Sequence, residues 1–220
     1  MTPIVLVGAG ELARSTLSFL RDIDGLEPVG CAVGAAHLEG AVLGDLPVVA
    51  LERLESAFPA ATHEVLVCVG YRRVNRGREE LVRSCAARGY RLATAVHPSA
   101  WVSPDASLGA NCIIFPQAVV EPFAELGDGV VIWSGGVVAH DCRVGDFCFL
   151  APNATVAGNV TLGERCFVGA NATVRDGVTL GAACVIGAGA LVKHDTEPGS
   201  VLPAVGTPVG QSSSGDYDTL

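Results

Sequence analysis

Residues 132–150 read IWSGGVVAHDCRVGDFCFL, and an aliphatic residue recurs at every sixth position: Ile132, Val138, Val144 and Leu150. Followed outward, the same phase begins at Val96 and runs to Glu197 without insertion, as seventeen hexads. The first position is Val, Leu or Ile in every hexad, and the fifth is Ala, Cys, Val or Gly in sixteen, Thr196 being the exception. A fixed period of this kind decides the architecture before any local propensity does. Alternate residues of an extended chain share a face, so the first position points inward. The small fifth residue fits near a corner, where the chain must turn. Six residues at ~3.3 Å each give a flat side of ~20 Å, and three sides close a triangular coil of about eighteen residues. Coils then stack at ~4.8 Å through parallel hydrogen bonds. The expectation is an all-β parallel β-helix over residues 96–197.

The same frame absorbs most of the cysteines. Cys112, Cys142, Cys148, Cys166 and Cys184 all hold fifth positions, where a free thiol packs as a small apolar group. Cys31, Cys68 and Cys85 fall in segments that read as strands or helix. No closely spaced cysteine pair of the zinc type exists, so no metal and no disulfide is expected. Asn153, Asn159 and Asn171 match the glycosylation pattern but sit at turns of the repeat.

Residues 1–95 read differently. IVLVGAGELARSTLSFL gives a buried strand, a glycine turn and a helix; EPVGCAV, LPVV and HEVLVCVG give further strands. RVNRGREELVRSCAARGY gives an amphipathic helix from Arg73 that ends near Gly89. Alternating strands and helices imply a small Rossmann-like parallel sheet covered on its faces. The chain thus divides into an α/β domain (1–95), a β-helix (96–197) and a C-terminal tail (198–220). Gly8-Ala9-Gly10 lies between strand and helix, where backbone amides can hold a phosphate, although Ala13 replaces the third glycine of the full dinucleotide pattern. A plain tight turn fits it equally. Arg72, Arg73, Arg76 and Arg78 follow Gly70, and either meet a pyrophosphate or form a solvated helix face.

With a net charge of −9 and a pI near 4.9, the chain lacks the basic footprint of nucleic-acid binding. No apolar run approaches the ~20 residues of a membrane span, and MTPIVLVGAGELAR has no basic region ahead of its short apolar run. A cytoplasmic protein is expected.

His140 and Asp141 fall side by side in the repeat. On residues alone, His140 is either a polar turn residue or a general base; His194 occupies the same third position three coils on, in the similar hexad VKHDTE. His37 and His63 read as ordinary surface residues, and His97, before Pro98 at the domain junction, as structural. A hydrolase with three histidines on one metal is disfavoured, because the histidines of the repeat are scattered.

The order of the two halves, with VGAG after the first strand, HPSAWVSPDASLG at the junction, AHDCRVGDF in the middle and VGTP near the end, resembles the bacterial sugar acyltransferases of the sialic acid O-acetyltransferase type. That resemblance implies a left-handed β-helix, a homotrimer, acetyl-CoA as co-substrate, and a nucleotide-linked amino sugar as acceptor held by the first domain. It assigns catalysis to His140 with Asp141, acetyl-CoA contacts to Phe149, Ala170 and Ala188, and acceptor contacts to Gly8, Ala9, Gly10, Gly70 and Trp133. The chain departs from the family at Glu11-Leu12-Ala13-Arg14, at Val33-Gly34-Ala35 where an Asp pair is usual, at Trp133 where Asn is common, and at Phe149 where a polar or His contact is common. Those departures motivate an alternative acceptor, a non-sugar amine or hydroxyl. The chemistry is common to both. An amine must lose a proton to attack a thioester, and imidazole, titrating near pH ~6.5 in general, suits that task.

Overall fold

The structure is a computed structural model that describes residues 1–206. Residues 207–220 of the expected tail, with Thr207 and Pro208 of the last family motif, lie outside the described residues. In chain order the first part contains β1 (Thr2–Val7), α1 (Glu11–Leu20), β2 (Leu26–Val33), β3 (Val48–Ala50), α2 (Leu54–Ala57), β4 (Glu64–Val67), α3 (Arg76–Ala87) and β5 (Arg91–Leu92). The strands form one parallel sheet in the order β3-β2-β1-β4-β5. Ile4 through Val7 are buried on both faces, as a continuous aliphatic run at the centre of a parallel sheet should be. The structure corrects the sequence reading at two points. Cys68 lies one residue past β4, and α3 begins at Arg76 rather than Arg73, because Arg73, Val74 and Asn75 all take positive φ (54°, 50° and 62°).

From Ala95 the chain winds as a three-sided prism of parallel strands two residues long, joined by turns. Each side pairs residues eighteen apart. Side A stacks Trp101, Val119, Val137, Thr155, Thr173 and Leu191. Side B stacks Ser107, Glu125, Arg143, Thr161 and Thr179. Side C stacks Ala95, Ile113, Val131, Phe149, Phe167 and Val185, and then Val201 at a spacing of sixteen. These are sixth positions and point outward; the first-position aliphatics and fifth-position small residues fill the interior.

The repeat's other positions have equally local causes. From Asn111 to Gly189 every fourth-position residue has positive φ, which explains the Asn, Asp and Gly found there, Asn153, Asn159 and Asn171 among them. The edge between sides B and C carries Gly109, Gly127, Gly145, Gly163 and Gly181 one above another. A Cβ on any of them would come within 2.8 Å of an atom of the next coil, so only glycine lets the coils close there. All eight cysteines are buried as free thiols, and burial pushes Cys68 and Cys112 up to about 12. Thiols held that high stay protonated at neutral pH.

Side C is where the α/β part docks. Ile113, Val131 and Phe149 share an apolar cluster with Ile4, Leu6, Leu12 and Phe19. Asn111, fully buried in a prism turn, accepts the Val67 N–H at 2.7 Å and donates to Val67 O at 3.2 Å. A side-chain amide thereby continues the sheet edge beyond the end of β5.

Candidate active site

His140 stands on the edge between sides A and B, at the third position of its hexad, with its side chain 54% exposed. Three coils build its surroundings. From the coil below, Glu121 Oε2 accepts the His140 backbone N–H at 2.9 Å. Within the coil, Asp141 Oδ2 lies 2.9 Å from His140 Nδ1. A carboxylate only accepts hydrogen bonds, so Nδ1 carries the proton in this pair, and in the neutral ring the lone pair is on Nε2. From the coil above, Gly158 leaves room for the ring: a Cβ there would stand 2.6 Å from both Cε1 and Nε2. Asp141 itself sits at φ 57°, a turn conformation that Asp tolerates. Beside this group, Phe123 is 61% exposed one coil below Asp141.

The glycine turn of the first part has a tight geometric cause. Gly8 has φ 115°, and a Cβ on it would meet Cys68 O at 2.8 Å and Val69 Cγ2 at 3.1 Å. This close approach brings Gly8-Ala9-Gly10 against the chain that leads to Gly70. Gly10 stands at the N-cap of α1, where glycine supplies no side chain to cap the first amides of the helix.

Trp133 stacks on Phe115 at 4.2 Å between ring centroids, 10° from parallel, and its buried Nε1–H has no hydrogen-bond partner among the described residues. Phe149, 4% exposed, stacks on Phe167 at 5.6 Å and lies under Tyr71 at 5.1 Å. Ala9, Trp133, Phe149 and Ala170 belong to one apolar cluster where the α/β part meets the prism. Ala188 is exposed and stacks one coil above Ala170, on the edge between sides C and A. The sequence-predicted residues therefore form two groups: His140 with Asp141 on one border of side A, and Trp133, Ala170 and Ala188 on the other.

Several residues escaped the sequence reading. Glu121 and Gly158 were findable, since they stand nineteen before and eighteen after His140 and an eighteen-residue coil places them as its neighbours. Arg78 follows neither reading given to the arginines. It is fully buried and bonded to prism carbonyls, because its side chain turns into the seam between the two parts. Among the described residues no cluster of three or more His, Cys, Asp or Glu is placed to hold a metal, and no helix is long and apolar enough to cross a membrane.

Comparison with known proteins agrees with this architecture. The bacterial transferase hexapeptide family (six repeats) matches at residues 105–140, 141–176 and 159–194. No curated protein matches by sequence. Among solved structures, PerB from Caulobacter crescentus, in complex with CoA and GDP-perosamine, is 33% identical with a TM-score of 0.82, covering 91% of this chain and 93% of its own. The acetyltransferase domain of PglB from Neisseria gonorrhoeae, in complex with acetyl coenzyme A, is 28% identical with a TM-score of 0.78, covering 90% and 94%. WeeI from Acinetobacter baumannii, 21% identical with a TM-score of 0.82 over 93% and 97%, shares the fold. A coiled prism behind a small parallel sheet, matched over nine-tenths of its length at one-third identity, leaves one assignment: the chain belongs to the left-handed β-helix sugar acyltransferases of the hexapeptide-repeat family, and is an acetyltransferase.

Proposed function

We propose that the enzyme transfers the acetyl group of acetyl-CoA to the amino group of a nucleotide-linked amino sugar, with His140 as general base. The observation that carries this reading is the His140 ring itself, held through Nδ1 by Asp141 with Nε2 left available beneath Gly158. Nε2 takes a proton from the neutral acceptor amine as its nitrogen attacks the thioester carbon. The tetrahedral intermediate then collapses, the carbon–sulfur bond breaks, and the leaving thiolate takes the proton from the imidazolium. Asp141 keeps the ring oriented and its Nδ1 protonated throughout. PerB, which binds CoA and GDP-perosamine, supports both the donor and the class of acceptor.

The donor fits the edge of small residues. Ala170 and Ala188, with Gly169, Gly187 and Gly189 around them, leave space for a pantetheine arm and expose backbone groups to its amides. Phe149 serves from behind, as the support of Tyr71 and Phe167. The turns at Gly8-Ala9-Gly10 and Gly70 hold the diphosphate side of the acceptor, with Trp133 beneath the sugar.

His140 and the Ala170–Ala188 edge border opposite sides of one sheet face, so a single prism does not complete the site. The outward residues of that face are uncharged: Trp101, Val119, Val137, Thr155, Thr173 and Leu191. A second copy packed there sets one chain's histidine against its neighbour's donor edge, and a homotrimer closes all three sites alike. Sedimentation at micromolar concentration tests this; a 22.5 kDa species would exclude it.

A second reading keeps the chemistry and changes the acceptor to a non-sugar amine or hydroxyl. The Phe115–Trp133 stack and the uncharged Val33-Gly34-Ala35 favour it. Acetyl-CoA consumption measured against GDP- and UDP-linked amino sugars and against simple amines decides between them.

A further inference from the structure

Arg78, in the first turn of α3, is fully buried, and no carboxylate pairs with it among the described residues. Burial lowers its guanidinium to about 10, so it remains charged at neutral pH. Its donors go to main-chain carbonyls instead: Nε to Gly129 O at 3.0 Å, Nη1 to Val69 O at 3.3 Å, and Nη2 to Phe147 O at 2.7 Å and Cys148 O at 3.3 Å. Asn75, also fully buried, donates to Arg165 O at 3.1 Å and Cys166 O at 3.4 Å. Gly129, Phe147 and Arg165 stack on the edge between sides B and C, each eighteen residues from the next. The start of α3 thus grips three successive coils, and the middle one carries His140.

The same grip ties down the loop ahead of it. Arg78 bonds Val69 O, and the Val69 side chain abuts Gly8. Tyr71 lies over the rings of Phe149 and Phe167 at 5.1 and 4.7 Å. Between Tyr71 and α3 the chain makes a left-handed turn through Arg73, Val74 and Asn75, a conformation that a β-branched valine adopts only under constraint. That constraint is the seating of Asn75 on the coil edge.

We propose that Arg78 and Asn75 are positioning residues for acetyl transfer, setting the height of the acceptor-holding turns along the prism at the coil that carries His140. In a cyclic assembly whose axis runs along the prisms, coils of all subunits share that height, so the setting holds for a neighbour's histidine as well. The proposal rests on the function given above.

Arg78→Met and Asn75→Ala test it by two readouts. In hydrogen exchange, the amides of residues 8–10 and 69–75 should exchange at least about tenfold faster, while those of residues 137–144 keep their protection. In steady state with GDP-perosamine, or whichever amine acceptor wild type turns over, acceptor KM should rise about tenfold or more while the acetyl-CoA Kd stays within about threefold. Arg78→Lys, which keeps a charge and fewer donors, should fall between. Unchanged exchange at both turns overturns the proposal. So does faster exchange spread evenly through the prism, or an equal loss of acceptor and acetyl-CoA binding, since either marks a purely structural role. Failure of wild type to acetylate any nucleotide-linked sugar would defeat the proposed function instead, and hydrogen exchange still judges the grip.

Discussion

Two corners of the prism carry the same letters. AHDC at 139–142 and KHDT at 193–196 lie on the same edge, three coils apart, each with His at the third position and Asp at the fourth. In the first, Asp141 bonds the histidine ring. In the second, Asp195 Oδ1 accepts the Thr179 N–H at 2.8 Å, and His194 makes no side-chain hydrogen bond among the described residues. Below His140 stands Glu121, which holds its backbone N–H; the matching residue below His194 is Arg175, which cannot accept a hydrogen bond. The coil also shortens at His194, where Leu180 pairs with Thr196 at a spacing of sixteen. What distinguishes the two histidines is therefore their vertical neighbours, not the dipeptide.

The largest expected effect breaks the comparison at its strong end. His140→Ala should lower kcat by ~10²–10⁴, the usual cost of a lost general base. The side chain projects from a turn and opens no core cavity, so the thermal midpoint should stay near wild type. Acetyl-CoA affinity, measured by calorimetry, should change by less than about threefold. A variant that keeps wild-type turnover removes His140 from the mechanism.

Gly158→Ala asks whether the coil above matters. The backbone at Gly158 does not need positive φ, and the atoms a methyl would strike belong to the imidazole, which can swing aside. The enzyme should remain folded and lose roughly 10–100-fold in kcat through displacement of Nε2. In a His140→Ala background the same substitution should cost almost nothing more, because there is no ring left to displace. Additive losses would show that Gly158 acts independently of His140.

Asp141→Asn is milder. Asn accepts the left-handed turn as readily as Asp, and its carbonyl oxygen can still receive Nδ1–H. What disappears is the charge and the certainty of which way the amide faces. A fall of about tenfold in kcat, with the donor KM unchanged, is expected. A loss as deep as that of His140→Ala would make Asp141 more than an orienting group.

The same contrast shows what the sequence could carry. The prism was legible because its cause is repeated: an aliphatic residue every sixth position states the inward face, and a small fifth residue states the corner. The α/β elements were legible where a hydrophobic period filled them, and the start of α3 was not, because Asn75, which ends the left-handed turn before it, is held by a coil about ninety residues away in sequence. The Asp141 partner of His140 was visible as its neighbour. Glu121 and Gly158 were hidden only because they were read along the chain rather than up the stack. Arg78 could not be read at all: a buried arginine satisfied by carbonyls leaves no partner residue type in the sequence to point at it.

The smallest expected effect is at the weak end of the comparison. His194→Ala should leave kcat, both KM values and the thermal midpoint within about twofold or ~0.5 kcal/mol of wild type, as for most exposed substitutions. His194 has no carboxylate on its ring among the described residues, no acceptor beneath its backbone N–H, and an edge already out of the eighteen-residue register. Converting it toward its twin sharpens the point. Arg175→Glu places a carboxylate where Glu121 stands below His140, yet Asp195 remains committed to the Thr179 amide. In a His140→Ala background this change should restore no turnover if, as proposed, the acceptor is held by turns seated at the coil of residue 140, roughly 14 Å lower at ~4.8 Å per coil. Recovered activity would mean that the height of the first domain on the prism does not select the histidine.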